Sequence, residues 1–460
     1  MMLFTTNWLA TFFSEFRGKV TDSIHIKSVV TDSRKPGRQS LFVPLAGENF
    51  DGHDYLEQAV HNGAVAALWE KKKPLPAFLP TDFPVFFVSD TLTSLQQLAA
   101  AYRRRVNPLV IGITGSNGKT TTKDLVSAVV GKKYRTHFTK GNFNNHIGLP
   151  LTILSMPDHT EALVLEMGMN HFGEIDVLTK IAAPDFAIIT NIGEAHIEFL
   201  GSRAGIAKAK LEIIHGLKKQ GVFIYDGDEP LLQLKNYVHR TITCGFNTEN
   251  DMVIRNTSIH EQQTTFQLSD ENSYRIPLLG RHHAQNATYA ITIGLELGIR
   301  PADIQDAFDK LHLTGMRFEM LPGKNGATIV NDAYNASPSA MRASIEVVKQ
   351  LENYDEKVLV LGDMFELGDA AEKWHRQVAE SIQAPITAVF TFGKDAQYIS
   401  SEVKKRTPEI INMHFETKEA LTEKLSEVLR PNMIVLFKAS RGMHFESIVK
   451  ELLDATNTTA

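Results

Sequence analysis

Three α/β domains, the middle one a phosphate-loop domain on a mostly parallel sheet, are what this sequence predicts. Three observations predict it. The chain has 460 residues, too many for one ordinary hydrophobic core. Through its middle, short apolar β-like runs alternate with helical stretches, the signature of a parallel sheet covered on both faces. The same alternation begins again near Gly315.

The first block, residues 1–106, has strand-like runs at 40–44, 64–69 and 85–88, with a helical pattern at 55–62 between them. A helix over 93–105 closes it, and Asn107-Pro108 breaks that helix. The Lys- and Pro-rich stretch 71–84 reads as an exposed loop. The second block, 107–314, opens on the apolar run 109–114 and continues with strands at 162–166, 186–190 and 222–225. Helices at 121–131, 173–181 and 205–217 alternate with them. From 241 to 276 short alternating runs suggest a small antiparallel subsheet, and 284–298 reads as an amphipathic helix. The third block, 315–460, has strands at 328–331, 358–361, 388–392 and 433–437, with helices between them and a polar tail at 454–460.

Composition narrows the class. A hydrophobic fraction of 43% and a charged fraction of 22% are ordinary for a soluble globular protein. A net charge of −5 argues against a nucleic-acid partner as the main task. One cysteine, Cys244, forbids an intramolecular disulfide and a thiolate metal cluster, and it reads as a small buried filler. No apolar run reaches the roughly 18 residues of a membrane span, and residues 1–20 lack a signal-peptide pattern. The expectation is a cytoplasmic protein.

The strongest local motif is Gly115-Ser116-Asn117-Gly118-Lys119-Thr120, followed by Thr121. It is a phosphate loop, shorter at its start than the common pattern, with a strand before it and a helix after it. Glycines let backbone N–H groups and the helix N-terminus face phosphate oxygens. Lys119 adds a charge near the terminal phosphates, and the Thr120 hydroxyl can join a Mg²⁺ shell. Glu166 ends its strand and so points into the ligand crevice of a parallel sheet, a candidate Mg²⁺ ligand. His196 lies just past the next strand end, either a ligand or a structural polar residue. Lys208 and Lys210, read alone, sit on a solvated helix face. The stretch 140–150, holding Asn142, Asn144 and Asn145, is a polar loop suited to hydrogen-bonding a ligand, although Asn-rich turns are common.

These pieces resemble the Mur ligase family. The resemblance is carried by residues 114–121, 141–150, Glu166-Met167-Gly168 and 191–196, then by 280–286, 316–319, 331–338, 361–368 and Lys438-Ala439-Ser440-Arg441-Gly442-Met443. In the first block, 31–34 and 47–55 also fit. The likeness runs in order over nearly the whole chain. It implies an N-terminal domain that binds a UDP-linked precursor, a central ATP domain and a C-terminal Rossmann-like domain that closes over ATP and binds a dipeptide.

The activity implied is an ATP-dependent ligase joining UDP-N-acetylmuramoyl-tripeptide to D-alanyl-D-alanine in a monomer, with two Mg²⁺. Lys119 and Thr120 would hold phosphates and the first Mg²⁺, and Glu166 and His196 would serve the metal pair. Lys210 would be a lysine that several relatives carbamylate, which reverses its reading as a solvated residue. Asn286 would face adenine; Arg317 and Asp332 would approach the phosphates and ribose. Asn142, Asn144 and Asn145 look like substrate or phosphate contacts. Ser33 and Arg34, with Asp51 and His53 nearby, resemble the uridine region. Tyr334, Asn335 and Ser337, with Lys438, Ser440 and Arg441, are candidates around the dipeptide. Two positions depart from the family pattern: Asn331 precedes Asp332 where an aspartate is common, and Ala439 replaces a frequent glycine.

Rival readings each carry a distinguishing feature. A sister ligase adding a single third amino acid would carry a DNPR-like motif, which is absent from the sequence. Folylpolyglutamate synthase shares the central domain but normally lacks the uridine-binding block. A phosphate-loop kinase or regulatory protein would not release ADP in response to an amine.

Overall fold

The computed structural model describes residues 3–35, 37–233, 237–260, 263–269 and 271–454. Of the polar tail expected at 454–460, only Asp454 falls among them. Three sheets of five, nine and six strands follow one another along the chain, beside a two-stranded pair, Phe4–Thr5 with His25–Ile26.

The first sheet runs Phe16–Arg17, Val85–Val88, Ala64–Glu70, Ser40–Phe42, Ser28–Val30, parallel except at its Phe16–Arg17 edge. The helix after it spans Thr91–Val106, starts on the Asp90 side chain, which accepts the Thr93 N–H, and ends at Asn107 in a left-handed conformation. That helix packs against the short helix Gly148–Leu154 of the central part, so one apolar cluster runs from Phe86 and Leu95 through Leu149 to Leu165.

The nine-stranded sheet positions the site. Its central strand Leu109–Thr114 lies between Phe186–Ile189 and Ala162–Glu166, all parallel. Apolar residues alternate to both faces, so nearly the whole strand is buried, as a parallel sheet sandwiched by helices requires. Helices Lys119–Val130 and Arg281–Glu296 cover one face; Glu174–Ala182 and Arg203–Leu211 lie on the other. Register pairs Glu166 with Ile113 and Ile189 with Thr114, so the three strands end together. The residues following them share one edge, where open α/β sheets bind ligands.

Two expectations change here. The run expected to be an antiparallel subsheet starts with Arg240–Gly245, which pairs parallel with Val222–Asp226 and carries Met252–His260 parallel beside it. Met252–His260, Gln263–Leu268 and Ser273–Ile276 then pair antiparallel in turn, so the expected antiparallel subsheet is present over its last three strands, as an extension of the central sheet. Alternation in sequence reported half-exposure at a sheet edge, which parallel and antiparallel edges share. The end of the Asn-rich stretch is also helical, because Gly148–Leu154 buries Leu149, Ile153 and Leu154.

The third sheet runs Glu319–Pro322, Thr328–Asn331, Met433–Lys438, Glu356–Gly362, Ala388–Phe392, Ile411–Phe415, parallel except at its first strand. Among the described residues no helix is long and apolar enough to cross a membrane.

Candidate active site

The central and C-terminal sheets face each other across a crevice of about 580 Å³, lined by the phosphate loop, the Asn142–Asn145 stretch, the strand ends at Glu166 and Asn191, and residues of the third sheet. The loop is pinned from below. The Thr190 hydroxyl donates to the Asn117 carbonyl at 2.6 Å, the Asn117 N–H donates to the Asn191 side chain at 3.0 Å, and the Gly193 N–H donates to the Ser116 hydroxyl at 2.9 Å.

Two glycines make that close approach possible. Gly115 has φ +154°, and a Cβ there would lie 1.8 Å from the Thr190 hydroxyl oxygen. Gly118, the residue before the helix, has φ +77°, and its Cβ would fall 2.7 Å from Asn286 Oδ1. Gly115→Ala is therefore expected to destabilise the fold by about 2 kcal/mol or more, read as a lowered midpoint in urea denaturation.

Lys119 opens the helix and donates to the carbonyls of Gly115 at 2.8 Å and Ser116 at 3.3 Å. Burial lowers its pKa, the Glu166 carboxylate opposes that, and Arg317 adds to it. Thr120 donates to Glu166 Oε2 at 2.7 Å, and Asn144 donates to Oε1 at 2.8 Å. Arg317 reaches over from the segment that enters the third sheet and donates to the Thr120 hydroxyl at 2.7 Å, while its guanidinium stacks 4.2 Å from the Tyr334 ring. One cation and one carboxylate thus bracket a hydroxyl at the mouth of a helix N-terminus.

The other predicted residues fall in three places. Ser116, Asn117, Gly118, Thr121, Asn142, Asn144, Asn145, His196, Asn286, Asp332, Tyr334, Asn335 and Lys438 all line the crevice. Asp332 is already engaged: it accepts from Lys438 at 2.6 Å, from Ser344 at 2.6 Å and from the Phe318 N–H at 3.2 Å. Asn145 caps the Gly148 N–H at 2.8 Å, and Asn335 caps the Ala336 N–H at 2.9 Å, so both shape the local chain.

Ser337, Ser440 and Arg441 stand just outside the lining. Ser337 starts the helix Pro338–Gln350 and donates to Asn117 Oδ1 at 3.2 Å; Ser440 accepts the Phe365 N–H at 2.8 Å; Arg441 lies against Met316 Sδ and Glu446. Ser33 and Arg34 are elsewhere, in the first domain, where Ser33 donates to Gln58 and exposed Arg34 pairs with Asp32. Beside them Asp51 accepts from His53 Nδ1 at 2.6 Å and also pairs with Lys73.

Lys208 is exposed, as expected of a helix face. Lys210 is not: its side chain is buried, with 2% of the residue accessible. Its pKa is driven well below the ordinary lysine value by burial and then by the Lys119 charge, which favours the neutral amine over the ammonium. The solvated reading fails because the helix Arg203–Leu211 turns Ile206, Ala207, Ala209 and Lys210 inward. Cys244 is buried, and burial pushes its thiol up to about 12, which leaves it inert as a nucleophile.

Several participants had no role in the sequence reading. Glu194 accepts the Ser339 N–H at 3.1 Å and pairs with Arg342 at 3.4 Å, tying the central domain to the first turn of the C-terminal helix Pro338–Gln350. Asn117 donates to the Ser339 hydroxyl at 3.0 Å across the same boundary. His282 lines the crevice as well. Glu194 and His282 lay within the family fragments; Ser339 and Arg342 are ordinary helix residues, and only the docking of two domains reveals them.

Among the described residues no group of three or more His, Cys, Asp or Glu side chains converges as a metal cage. Mg²⁺ needs none: one or two carboxylates and a hydroxyl, completed by phosphate oxygens and water, suffice. The Thr120 hydroxyl and Glu166 carboxylate, 2.7 Å apart, are hard oxygen donors of that kind and fit the ion.

Comparison with known proteins matches three family profiles in chain order: "Mur ligase family, catalytic domain" over residues 25–103, "Mur ligase middle domain" over 113–294 and "Mur ligase, glutamate ligase domain" over 316–441. The chain is 50% identical over 432 residues to the UDP-N-acetylmuramoyl-tripeptide–D-alanyl-D-alanine ligase of Bacillus subtilis, covering 94% of each chain. It is 33% identical over 439 residues to the enzyme of that name from Escherichia coli, covering 93% of this chain and 94% of the relative. Among solved structures, MurF from Acinetobacter baumannii superposes with a TM-score of 0.86 at 30% identity over 98% of both chains. MurF from Thermotoga maritima in complex with ADP gives 0.81 at 30% identity, over 92% of this chain and 96% of that one.

Proposed function

Because this chain belongs to the Mur ligase family, we propose that its crevice joins the carboxylate of UDP-N-acetylmuramoyl-tripeptide to the amine of D-alanyl-D-alanine. It is an ATP-dependent acid–amino-acid ligase of peptidoglycan precursor synthesis. One observation carries the reading: a phosphate loop, a Thr120–Glu166 oxygen pair and the C-terminal Arg317 and Lys438 line one crevice.

The reaction begins with the tripeptide carboxylate attacking the γ-phosphorus of ATP, which gives an acyl phosphate and ADP. Two anions must approach, and Lys119 and Arg317 lower that repulsion. Thr120 and Glu166 would hold one Mg²⁺, and His196 with Lys210 would serve a second; bound there, the ions would supply positive charge against the phosphate oxygens. The amine then attacks the acyl carbon, loses a proton, and expels phosphate as the amide forms. Glu194, Asn117, Ser339 and Arg342 hold the C-terminal domain against the phosphate loop, which aligns the amine and keeps water from the acyl phosphate.

Asn286 faces adenine, and Asp332 approaches the ribose. Asn142, Asn144 and Asn145 guide the tripeptide end, Ser33 and Arg34 take the uridine nucleotide, and Tyr334, Asn335, Ser337, Lys438, Ser440 and Arg441 surround the dipeptide. The neutral Lys210 amine is the form that adds CO₂: the N–C bond forms, one proton leaves, and a carbamate anion results. Residues 1–106, 107–314 and 315–460 divide these tasks between precursor, nucleotide and dipeptide. The protein works as a cytoplasmic monomer, where ATP and UDP-linked precursors are present.

Phosphate release from ATP with Mg²⁺ and UDP-N-acetylmuramoyl-tripeptide is expected to require D-alanyl-D-alanine. The nucleotide product should gain one dipeptide less one water by mass spectrometry. Turnover with a single amino acid in its place would instead make this a sister ligase.

A further inference from the structure

The segment after the strand Glu356–Gly362 brings Glu366 to the domain boundary, and its contact there is with the central domain. Glu366 Oε2 lies 2.5 Å from Nδ1 of His196. The backbones meet as well, since the Glu198 N–H donates to the Glu366 carbonyl at 3.2 Å. A Cβ on Gly368 would sit 3.4 Å from the Glu198 side chain, and Ile197 packs into the apolar core of the C-terminal domain. The short turn Ile197–Leu200 therefore meets the far domain through Ile197 and Glu198.

Both partners are strained. His196 has φ +66° and Glu366 φ +61°, left-handed values that non-glycine residues seldom adopt. Such conformations persist where surroundings over-determine them, and here each holds the other's side chain in place. An imidazole that serves a metal through one nitrogen characteristically donates its other N–H to a carboxylate, which fixes tautomer and ring orientation. Glu366 Oε2 lies close to Nδ1 but off the N–H axis, so Nδ1 has no aligned partner; a small rotation of ring or carboxylate would make Glu366 that acceptor and leave Nε2 with its lone pair, while His196 itself lines the crevice.

We propose that Glu366 is a positioning residue for His196: it fixes the Nδ1–H tautomer from the opposite domain, so the second ion site is complete only when the C-terminal domain is docked. The proposal rests on the reading of His196 as a metal ligand. It makes domain closure and ion binding a single event, because the residue that orients the ligand arrives with the closing domain.

Mn²⁺ binding to the full-length protein with ADP, followed by electron paramagnetic resonance, tests it without turnover. His196→Ala is expected to remove one class of ion. Glu366→Gln should weaken that same class about tenfold and leave the class that depends on Glu166 untouched. Glu366→Gly relieves the backbone strain but lacks the carboxylate, so it should weaken binding as Gln does. Combining Glu366→Gln with His196→Ala should add nothing to the latter. Wild-type Mn²⁺ affinity in Glu366→Gln or in Glu366→Gly overturns the role of Glu366 while His196 keeps its own. Unchanged binding in His196→Ala overturns the metal role of His196 and this proposal together. In kinetics, the Mg²⁺ concentration giving half-maximal rate should rise in Glu366→Gln, with the KM for the dipeptide unchanged.

Discussion

Lys119→Met is expected to lower kcat/KM for ATP by about 100- to 1,000-fold while the thermal midpoint stays at or above that of the wild type. Lys119 lies in the mouth of the helix Lys119–Val130, where its ammonium holds the carbonyls of Gly115 and Ser116. Burial opposes its charge, and the nearby Glu166 carboxylate offsets part of that cost. A triphosphate completes the offset, so the cation is worth most when the nucleotide is bound and the carboxylate nucleophile adds its own negative charge. Methionine keeps much of the volume and removes the charge. The loss should therefore fall on ATP binding and phosphoryl transfer, with folding spared because no buried ammonium remains to be solvated. Steady-state phosphate release with calorimetric ADP binding checks both halves. A wild-type rate would mean that the phosphates lie somewhere other than this loop.

The loop itself was legible because its residues form one contiguous motif. A glycine that must accept φ +154° beside Thr190, and another that must admit Asn286, are written into the sequence as Gly115 and Gly118. Strand ends were legible for the same reason: apolar runs such as Leu109–Thr114 and Ala162–Glu166 stop where the chain turns polar, so Glu166 and His196 fell at one edge. The three α/β sheets followed from alternation alone.

What was not legible depends on contacts distant in sequence. Ser339 and Arg342 are ordinary helix residues until Glu194 meets them. The short strands Thr136–Phe138 and Ile411–Phe415 are half-exposed edges, with too few apolar residues to stand out from loops. Arg240–Gly245 looked antiparallel because alternation reports exposure and is silent on direction. The family resemblance was needed for Lys210, whose helix carries Lys208 two residues earlier on the solvent side. Positions two apart on a helix lie about 200° around its axis, so one lysine can be solvated and the other buried.

That burial makes Lys210→Met the second large effect: ligation should fall about 100-fold or more, yet the protein should become more stable. The side chain is 2% exposed, and its pKa is driven well below 10.5, first by desolvation and then by Lys119. Between that lowered value and 10.5 the folded lysine is neutral while the unfolded one is protonated. The unfolded chain thus binds one more proton, and this group's contribution to stability rises with pH by about 1.4 kcal/mol per unit in that window. Removing the lysine deletes a penalty that is larger at pH 7 than at pH 9, so the gain in thermal midpoint should shrink as pH rises. A carbamate keeps the same sign, since it too holds fewer protons than the unfolded ammonium. The burial that penalises the Lys210 ammonium favours the neutral amine, the form that the proposed carbamylation requires, so on that proposal stability and activity oppose each other at one side chain. Carbon-13-labelled CO₂ should give a carbamate resonance in the wild type and none in Lys210→Met. A midpoint that falls in Lys210→Met would make the lysine a structural element, and a wild-type spectrum without the resonance would leave it acting as a plain amine.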